Sequence, residues 1–234
     1  MDAEPLPLVL MYHSVEPYDA DPHRVTVHPR RFERQLRWLR GRGLRGVAMT
    51  ELLRLRSPGL VGLTFDDGYA DFVTEVLPAL RRYGFTATVF VIAGALGGHN
   101  RWDEPGPRKA LMTAADVRRA ADAGMEIGSH SLHHVPLPGV ADAALHDEVT
   151  LSRRQLAELT GRAVTGFCYP YGAVGEREVR AVRAAGYDYA CAVRSSPMDG
   201  RHALPRAFIG DRDGPARLFA KVARHRLTVG RAAR

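Results

Sequence analysis

The 234-residue chain has only two cysteines, Cys168 and Cys191. Two thiols are too few for the disulfide framework that holds together small secreted domains. Both lie within apolar stretches of the sequence, and cysteine in such surroundings behaves as a small buried hydrophobe. We therefore expect two buried free thiols rather than a disulfide or a reactive cysteine.

Long apolar runs and a signal peptide are also lacking. No stretch of 18 or more apolar residues occurs, which excludes an ordinary transmembrane helix. The first eleven residues carry Asp2 and Glu4 instead of basic residues, and their apolar run is too short for a signal peptide. As written, the sequence predicts a cytoplasmic protein, or an extracytoplasmic one if a leader is removed.

Lysine is nearly absent, since Lys109 and Lys221 are the only two among 33 basic side chains, and the net charge is +7. A basic surface can favour anionic ligands, but a general bias toward arginine is the simpler interpretation. The most basic segment, residues 224–234, contains no interleaved aromatic residues. We therefore expect no binding of nucleic acid.

Short apolar runs alternate with amphipathic stretches along the chain, which at 45% hydrophobic residues can bury one sizeable core. The sequence predicts strands at residues 6–12, 60–65, 86–93, 125–128, 165–169, 189–193 and 204–209. It predicts helices at residues 31–41, 71–83, 113–124, 141–160, 176–185 and 215–226. Sustained alternation of this kind predicts an α/β fold with a parallel sheet, in one domain over residues 1–234. About seven such units indicate a closed or nearly closed barrel.

Polar clusters follow four of the predicted strands. In α/β barrels the chemistry lies at the carboxyl ends of the strands, so these clusters are expected to meet at one face. They comprise His13 after the first strand, Asp66 and Asp67 after the second, His130, His133 and His134 after the fourth, and Tyr171 after the fifth. Four clusters at one predicted face indicate a functional site.

Paired carboxylates and clustered histidines favour metal chemistry. His130 and His134 are four residues apart, so on a helical turn they share a face, although His133 offers a competing three-residue spacing. Two imidazoles and one carboxylate leave open positions for water, which is typical of a catalytic site. This ligand set suits Zn²⁺, Co²⁺, Ni²⁺, Mn²⁺ or Fe²⁺. Asp66 and Asp67 point to different sides, so one carboxylate can bind the metal while the other handles a proton.

These motifs resemble the polysaccharide deacetylases, carbohydrate esterase family four. Residues 64–68 resemble the first signature of that family, residues 130–134 the second and residues 167–172 the third. The pair Tyr12-His13 and the Pro-Tyr-Gly third motif are most similar to the subgroup that deacetylates biofilm poly-N-acetylglucosamine. The resemblance covers about residues 9–206. It implies a distorted (β/α)7 barrel that hydrolyses the acetamide of an N-acetylated sugar or glycan to acetate and a free amine.

The resemblance also implies roles for individual residues. One divalent metal ion, with Zn²⁺ as the first expectation, is held by Asp67, His130 and His134. Asp66 is the general base and His13 the general acid. The backbone N–H of Tyr171 helps to hold the oxyanion, and the Tyr171 ring lines the pocket.

One position departs from the family pattern. The third signature usually begins with an arginine that pairs with the base, and here that position is Cys168. We take Arg206, within Leu204-Pro205-Arg206, as the candidate substitute.

Two further aromatic residues are candidates for substrate contact. Trp102 lies in residues 94–110, a segment that forms either a lid or sugar-stacking wall, or an ordinary surface loop. Tyr69 follows the first motif and is expected to face the substrate. Asp71, two residues later, is expected to cap the following helix.

Three alternative functions remain open from the sequence. The same scaffold can hydrolyse other C–N bonds, in formamides or cyclic imides, although some such relatives lack the metal histidines that are present here. A non-catalytic carbohydrate-binding domain has no need of Asp66 beside a full ligand set. A phosphoesterase would be expected to carry a second cluster of metal ligands. The sequence does not predict the oligomeric state.

Overall fold

The computed structural model describes residues 6–196 and 198–232. The strands are β1 Val9–Tyr12, β2 Ser14–Val15, β3 Thr26–Val27, β4 Arg45–Val47, β5 Leu60–Phe65, β6 Thr88–Val91, β7 Glu126–Ser129, β8 Gly166–Cys168, β9 Tyr189–Cys191 and β10 Ala207–Phe208. The α-helices are α1 Pro29–Gly41, α2 Met49–Leu55, α3 Leu77–Tyr83, α4 Ala114–Asp122, α5 Asp142–Thr160, α6 Glu176–Ala184 and α7 Pro215–Ala232. A π-helix, Phe72–Val76, leads directly into α3.

The main sheet is entirely parallel and follows the order β10-β1-β5-β6-β7-β8-β9, with β4 paired to the first half of β5. Helices connect most of its consecutive strands, as parallel pairing requires. This curled sheet confirms the barrel that the strand–helix alternation predicts and agrees with the distorted (β/α)7 barrel that the family resemblance implies. Because all strand carboxyl ends lie at one edge, the residues that follow the strands meet there.

A short run of residues joins the two ends of the sheet. Leu204 forms a parallel bridge with Cys191 of β9, and its backbone N–H donates to the Ala190 carbonyl at 2.8 Å. Three residues later, β10 pairs with β1 through Ala207 and Leu10. The predicted strand 204–209 is therefore shorter than expected, but the segment contacts both β9 and β1 and closes the barrel.

Successive residues along each strand enter two different apolar layers. In β6, Phe90 packs in the smaller cluster inside the barrel, while Val89 packs in the larger cluster beneath the helices. The same alternation separates Cys168 from Phe167 in β8. Strands buried on both faces are near-continuous apolar runs, as these sequences are. Cys168 and Cys191 are both free and buried in the smaller cluster, as expected.

Several boundaries differ from the predictions. β1 begins at Val9, later than expected, and the sequence analysis missed β4 and α2 because they are only three and seven residues long. The predicted helix 71–83 is a π-helix followed by α3. Thr113 and Asp116 do form the capping box expected at the start of α4. Within the described residues, no helix has the length and apolar character needed to cross a membrane.

Candidate active site

Asp66 and Asp67 leave β5 in opposite directions. Asp67 adopts a left-handed backbone with φ of 69°, followed by Gly68 at 70°, and this turn separates the two carboxylates. Left-handed backbone is costly for residues other than glycine and persists where surrounding contacts enforce it. Both carboxylates are buried, with 3% and 4% of Asp66 and Asp67 exposed. Asp67 faces the histidines after β7, and Asp66 faces the barrel closure.

Asp67, His130 and His134 form a compact three-residue group. One carboxylate oxygen of Asp67, Oδ1, lies 3.2 Å from Nε2 of His130 and 3.3 Å from Nε2 of His134. The three ligand atoms lie within 4.8 Å of one another, and all three side chains are buried. Burying charge and imidazole together in this way requires a compensating partner.

The chemistry of the two imidazoles indicates that a cation is a suitable partner. Nδ1 of His130 lies 2.8 Å from the Cys168 carbonyl oxygen, which can only accept, so Nδ1 carries the hydrogen. Burial opposes protonation of His130, but neighbouring Cys168 and the hydrogen bond to Asp67 outweigh it and raise the pKa of His130 well above its ordinary value, whereas burial lowers the pKa of His134. With a metal ion bound, both rings would be neutral, and their Nε2 lone pairs and the Asp67 oxygen would all converge on that ion. The group therefore fits a divalent metal, and the hydrogen bond from Nδ1 fixes the ring as such sites need.

The two histidines are not on a helical turn, which corrects the spacing argument. Residues 130–134 form an irregular loop in which Ser131 and His134 have φ of 66° and 59°. The Ser131 hydroxyl accepts from the His134 N–H at 3.0 Å and closes the loop. These two left-handed residues bring the ring centroids of His130 and His134 to 4.9 Å.

His133 lies outside this group. Its Nδ1 is 2.8 Å from the Glu148 carboxylate, and the ring is 61% exposed. Glu148 also accepts from the backbone N–H of Leu132 and of His133. Glu148, on α5, thus anchors the loop that carries the two site histidines. The sequence offered no signal for it, because a glutamate within a helix is ordinarily solvated.

Arg206 lies against Asp66. Its two terminal nitrogens donate to the two carboxylate oxygens of Asp66, each at 2.7 Å, and its side chain is fully buried. Nε donates to the Ala192 carbonyl, and one terminal nitrogen also donates to Thr64. The other lies 3.1 Å from the Cys168 sulfur. Because residue 168 is a small cysteine, the guanidinium of Arg206 has room beside Asp66. Arg206 belongs to the segment that joins β9 to β10, not to β8.

The electrostatics keep both carboxylates ionised. Burial opposes ionisation of Asp66, but the charge and hydrogen bonds of Arg206 outweigh it, and the pKa of Asp66 lies below its ordinary value. Burial likewise opposes ionisation of Asp67, yet hydrogen bonds from His130 and His134 hold its pKa well below the usual range. Asp66, His130 and Cys168 also lie close together, but Arg206 already occupies both oxygens of Asp66. Asp67 is thus the carboxylate that is open to a metal.

His13 lies on the other side of Asp66. It follows β1, and its Nε2 is 4.0 Å from Oδ2 of Asp66. Its Nδ1 is buried without a hydrogen-bond partner, and the side chain is 17% exposed. The ring therefore reaches the site with one nitrogen close to the carboxylate and is partly open to solvent.

Two aromatic rings flank His134. The Tyr171 ring centroid is 4.6 Å from that of His134, and the Trp102 centroid is 4.4 Å away. Tyr171 is 54% exposed and has φ of 58°, which turns the backbone of residues 170–172 sharply. Residues 94–110 are thus neither a simple surface loop nor detached from the site, because Trp102 packs directly on a candidate metal ligand.

Tyr69 does not face the substrate space, contrary to expectation. It is 1% exposed, and its hydroxyl donates to the Asp103 carboxylate at 2.9 Å. Asn100 donates to the same carboxylate at 3.0 Å. Tyr69 and Asn100 therefore hold Asp103, and with it the adjacent Trp102, in place. The prediction failed because the loop that covers Tyr69 comes from a distant part of the chain.

Asp71 does not cap a helix. Its carboxylate accepts from the Ser14 hydroxyl at 2.7 Å and from the Val15 N–H at 2.9 Å, and it makes no capping hydrogen bond. It therefore fastens the segment after His13 to the start of the π-helix. Lys109 donates to Ser14 at 3.0 Å and also pairs with Glu16. This buried polar cluster ties the loop of residues 94–110 to the same place.

Comparisons with known proteins agree with this geometry. The family model for polysaccharide deacetylases matches residues 55–190, more than half of the chain. The chain belongs to the polysaccharide deacetylase family. It is accordingly a hydrolase of carbon–nitrogen bonds other than peptide bonds, and the family is metal-dependent.

Individual relatives of this polysaccharide deacetylase are distant in sequence. YxkH of Bacillus subtilis (strain 168), assigned to the same family, is 27% identical over 207 residues, which is 85% of this chain and 69% of that protein. The poly-β-1,6-N-acetyl-D-glucosamine N-deacetylase of Staphylococcus aureus (strain MSSA476) is 22% identical, over 80% and 68%. The solved deacetylase PplD of Streptococcus pyogenes, in complex with acetate, has a TM-score of 0.80 at 22% identity, covering 94% and 99%. That last likeness supports the fold.

The matched family segment does not contain the whole site of this deacetylase. Asp66, Asp67 and the histidines after β7 lie within residues 55–190, whereas His13 and Arg206 lie outside it. The fold nevertheless brings both to Asp66, at 4.0 Å and 2.7 Å. The surroundings of Asp66 are therefore built by the two ends of the chain.

Proposed function

We propose that this deacetylase hydrolyses the N-acetyl group of an amino sugar within a glycan, with Asp66 as base and His13 as acid. The observation that carries the proposal is the position of Asp66, which has the candidate metal ligands on one side and His13 on the other. A carbohydrate-binding domain has no use for that base. The name of the S. aureus relative, a poly-β-1,6-N-acetyl-D-glucosamine N-deacetylase, supports the same type of substrate.

We infer that Asp67, His130 and His134 hold one divalent ion, with Zn²⁺ as our first choice because two imidazoles and a carboxylate are a common catalytic zinc set. Co²⁺, Ni²⁺, Mn²⁺ and Fe²⁺ suit the same ligands. When bound, such an ion polarises the amide carbonyl and lowers the pKa of water. The ring contacts of His134 with Trp102 and Tyr171 restrict its rotation and keep its Nε2 aimed at Asp67.

Asp66 is the group that accepts the proton of the attacking water. Arg206 holds its two oxygens in one plane and keeps it ionised. Proton removal by a positioned base typically contributes about 10²- to 10⁴-fold to the rate. The water oxygen then bonds to the carbonyl carbon, and negative charge develops on the carbonyl oxygen.

Two other groups complete the reaction. We assign the backbone N–H of Tyr171, within the left-handed turn of residues 170–172, as the donor to the developing oxyanion. His13 donates a proton to the amide nitrogen as the C–N bond breaks, a role in which imidazole side chains commonly act as general acids. The products are acetate and the free amine: the proton that Asp66 took from water returns to solvent, and the second proton of that water leaves the carboxylic acid product and restores the proton of His13.

The decisive experiment measures acetate release from N-acetylglucosamine oligomers. Wild type, Asp66→Asn and the control Asp147→Asn, an exposed carboxylate on α5, are each stripped of metal and reloaded with Zn²⁺, Co²⁺ or Ni²⁺. We expect metal-dependent release by wild type and the control, and none by Asp66→Asn. A folded protein that binds metal but releases no acetate would refute the proposed substrate. A protein that binds no metal would refute the ligand assignment.

A further inference from the structure

Exposed aromatic rings lie on both sides of the site. Among the described residues, five large apolar side chains are more than a third exposed: Tyr18, Leu55, Tyr171, Phe208 and Phe219. Tyr171 packs on His134, as described above. Phe208, 37% exposed, lies with its ring centroid 6.2 Å from that of His13.

The sheet order places these two rings at opposite sides of the reacting groups. β5, which carries Asp66 and Asp67, is separated from β10 and Phe208 by β1 and His13. In the other direction, β6 and β7 lie between β5 and β8, which leads to Tyr171. The proposed acid therefore lies between the proposed base and Phe208, on the side of the site away from the candidate metal ligands.

The Phe208 ring is held in a fixed position. Lys221 lies over it, with Nζ 5.9 Å from the ring centroid, and the same amine donates to the Phe208 carbonyl and to Asp213. On another side, Gly210 leaves so little room that a Cβ there would come within 3.1 Å of the ring. A rigid, partly exposed aromatic ring loses little entropy on binding a ligand.

Tyr18 is an exposed aromatic residue that interacts with the loop after Phe208. It is 36% exposed, and its hydroxyl interacts with the carboxylate of Asp211. Asp211 follows Gly210 and accepts from the His28 N–H at 2.9 Å, which fixes the loop after β10. Phe208 and Tyr18 are therefore anchored to the same loop, residues 208–211.

We propose that Phe208 and Tyr18 form a sugar-binding surface, which we call the acid-side ledge, for the sugar that carries the acetamide and the next sugar along the glycan. This inference rests on the proposed function, because it places the amide nitrogen beside His13. That nitrogen is bonded to the sugar ring, so the ring must lie on the His13 side, where Phe208 offers an apolar face. Binding pockets combine aromatic faces with a few polar groups in this manner.

The acid-side ledge predicts how KM depends on the length of the oligosaccharide. Phe208 contacts the reacting sugar, so its loss weakens every substrate, whereas Tyr18 contacts the neighbouring sugar and matters only for longer ones. We therefore expect Phe208→Ala to raise KM about tenfold for all N-acetylglucosamine oligomers, with kcat nearly unchanged. Phe208→Trp retains an aromatic face and should restore KM. Tyr18→Ala should abolish the decrease in KM from monomer to tetramer and leave the monomer unaffected.

Phe219→Ala is the matched control. Phe219 is 54% exposed, lies on α7 and has Arg42 over its ring, away from His13. Its removal should leave KM unchanged at every chain length. Equal KM values for Phe208→Ala and wild type would overturn the ledge, as would a loss equally large in Phe219→Ala.

Binding measured without turnover separates this inference from the proposed reaction. Calorimetric titration of the tetramer into Asp66→Asn should give a Kd that rises about tenfold in Asp66→Asn/Phe208→Ala. A Kd that does not change would overturn the ledge. If wild type binds the tetramer through Phe208 but releases no acetate, the ledge stands and the proposed reaction fails.

Discussion

The guanidinium of Arg206 meets the carboxylate of Asp66 through two 2.7 Å hydrogen bonds, although 140 positions separate them in the chain. Both groups are buried, and Thr64, Ala192 and Cys168 complete the contacts of the guanidinium. Two parallel hydrogen bonds fix the orientation of a carboxylate as well as its charge. The proposed base therefore owes both properties to one side chain that lies outside the three segments that resemble the family signatures and outside the matched residues 55–190.

Removing that side chain should change both stability and pH dependence. Arg206→Ala removes the largest influence that opposes the effect of burial on Asp66, so the pKa of Asp66 rises and the acidic limb of the kcat/KM profile moves to higher pH. We expect kcat/KM to fall about 10²-fold and the free energy of unfolding to fall by about 3–5 kcal/mol, as for a broken buried ion pair. Activity against pH and denaturant unfolding measure the two effects.

Two variants serve as comparisons for Arg206→Ala. Arg206→Lys keeps a positive charge but cannot reproduce the paired hydrogen bonds, so its activity should be intermediate. Arg154→Ala removes an arginine that is 66% exposed on α5 and should change neither property. An Arg206→Ala profile that coincides with that of wild type would rule out the proposed role.

Substitutions should distinguish the candidate metal ligands from the adjacent His133 by their effect on metal content. Asp67→Asn and His134→Gln each remove a ligand from a three-residue set, so we expect bound metal to fall below stoichiometric amounts and acetate release to vanish. His133→Gln changes an adjacent histidine that contacts Glu148, and it should retain its metal. Metal content after dialysis, measured by atomic absorption, tests this. Equal loss from all three variants would mean that the loop, not the ligands, had been disturbed.

We expect the hydroxyl of Tyr69 to affect activity because it helps to hold the loop that carries Trp102. Tyr69→Phe removes the hydrogen bond to Asp103, which costs about 1 kcal/mol of stability and loosens the loop that places Trp102 on His134. We expect easier quenching of Trp102 fluorescence, measured in a Trp38→Phe background, and a several-fold lower kcat/KM. Tyr83→Phe removes a hydroxyl that bonds Glu33 on the helical exterior and should alter neither. Unchanged quenching in Tyr69→Phe would show that the loop is held by other contacts.

Asp71 should make stability decrease as the pH rises. Burial raises its pKa to about 6, beyond what its hydrogen bonds from Ser14 and Val15 offset. In the unfolded chain the carboxyl has a pKa near 4, so between about pH 4 and 6 the folded protein holds the extra proton. The stability contribution is full below pH 4 and is lost as the pH passes 6, by roughly 3 kcal/mol in total.

Asp71→Asn isolates this effect, since an amide does not titrate. The difference in unfolding free energy between wild type and Asp71→Asn, measured by urea denaturation from pH 3.5 to 7, should shift steadily against wild type with rising pH. Asp122→Asn, whose carboxylate is 76% exposed, provides the comparison and should show no such trend. A constant difference for Asp71→Asn would contradict the raised pKa.

The sequence predicts the barrel and the face of the site well, because strand–helix alternation and the positions of strand ends are local features. From the sequence, Asp67, His130 and His134 are grouped for a partly wrong reason. The loop that carries the histidines relies on left-handed backbone at Ser131, not on a helical turn. Exposure is harder to predict. Tyr69 looks available in the sequence and is covered by residues 94–110 in the fold, which no local pattern reveals.

Short elements and long-range partners account for the other differences. β4 and α2 span too few residues for periodicity to emerge, and they are stabilised by pairing with β5 and by Thr86 and Thr88, which accept from the backbone at the start of α2. Asp71 resembles a helix cap in sequence, but Ser14, far along the chain, provides a better donor. Glu148 and Asn100 act on site residues only through the tertiary fold.

The segment that closes the barrel is also the one that carries Arg206. During synthesis, every candidate metal ligand and the proposed base emerge before residue 204, while the guanidinium that neutralises Asp66 comes last. A chain that ends before this point lacks both the segment that joins β9 to β1 and the guanidinium that pairs with Asp66, so burying that carboxylate becomes costly. Residues 204–208 thus link closure of the barrel to the charge balance of the proposed base, and we expect chains truncated before residue 204 to be degraded instead of accumulating as partly active enzyme.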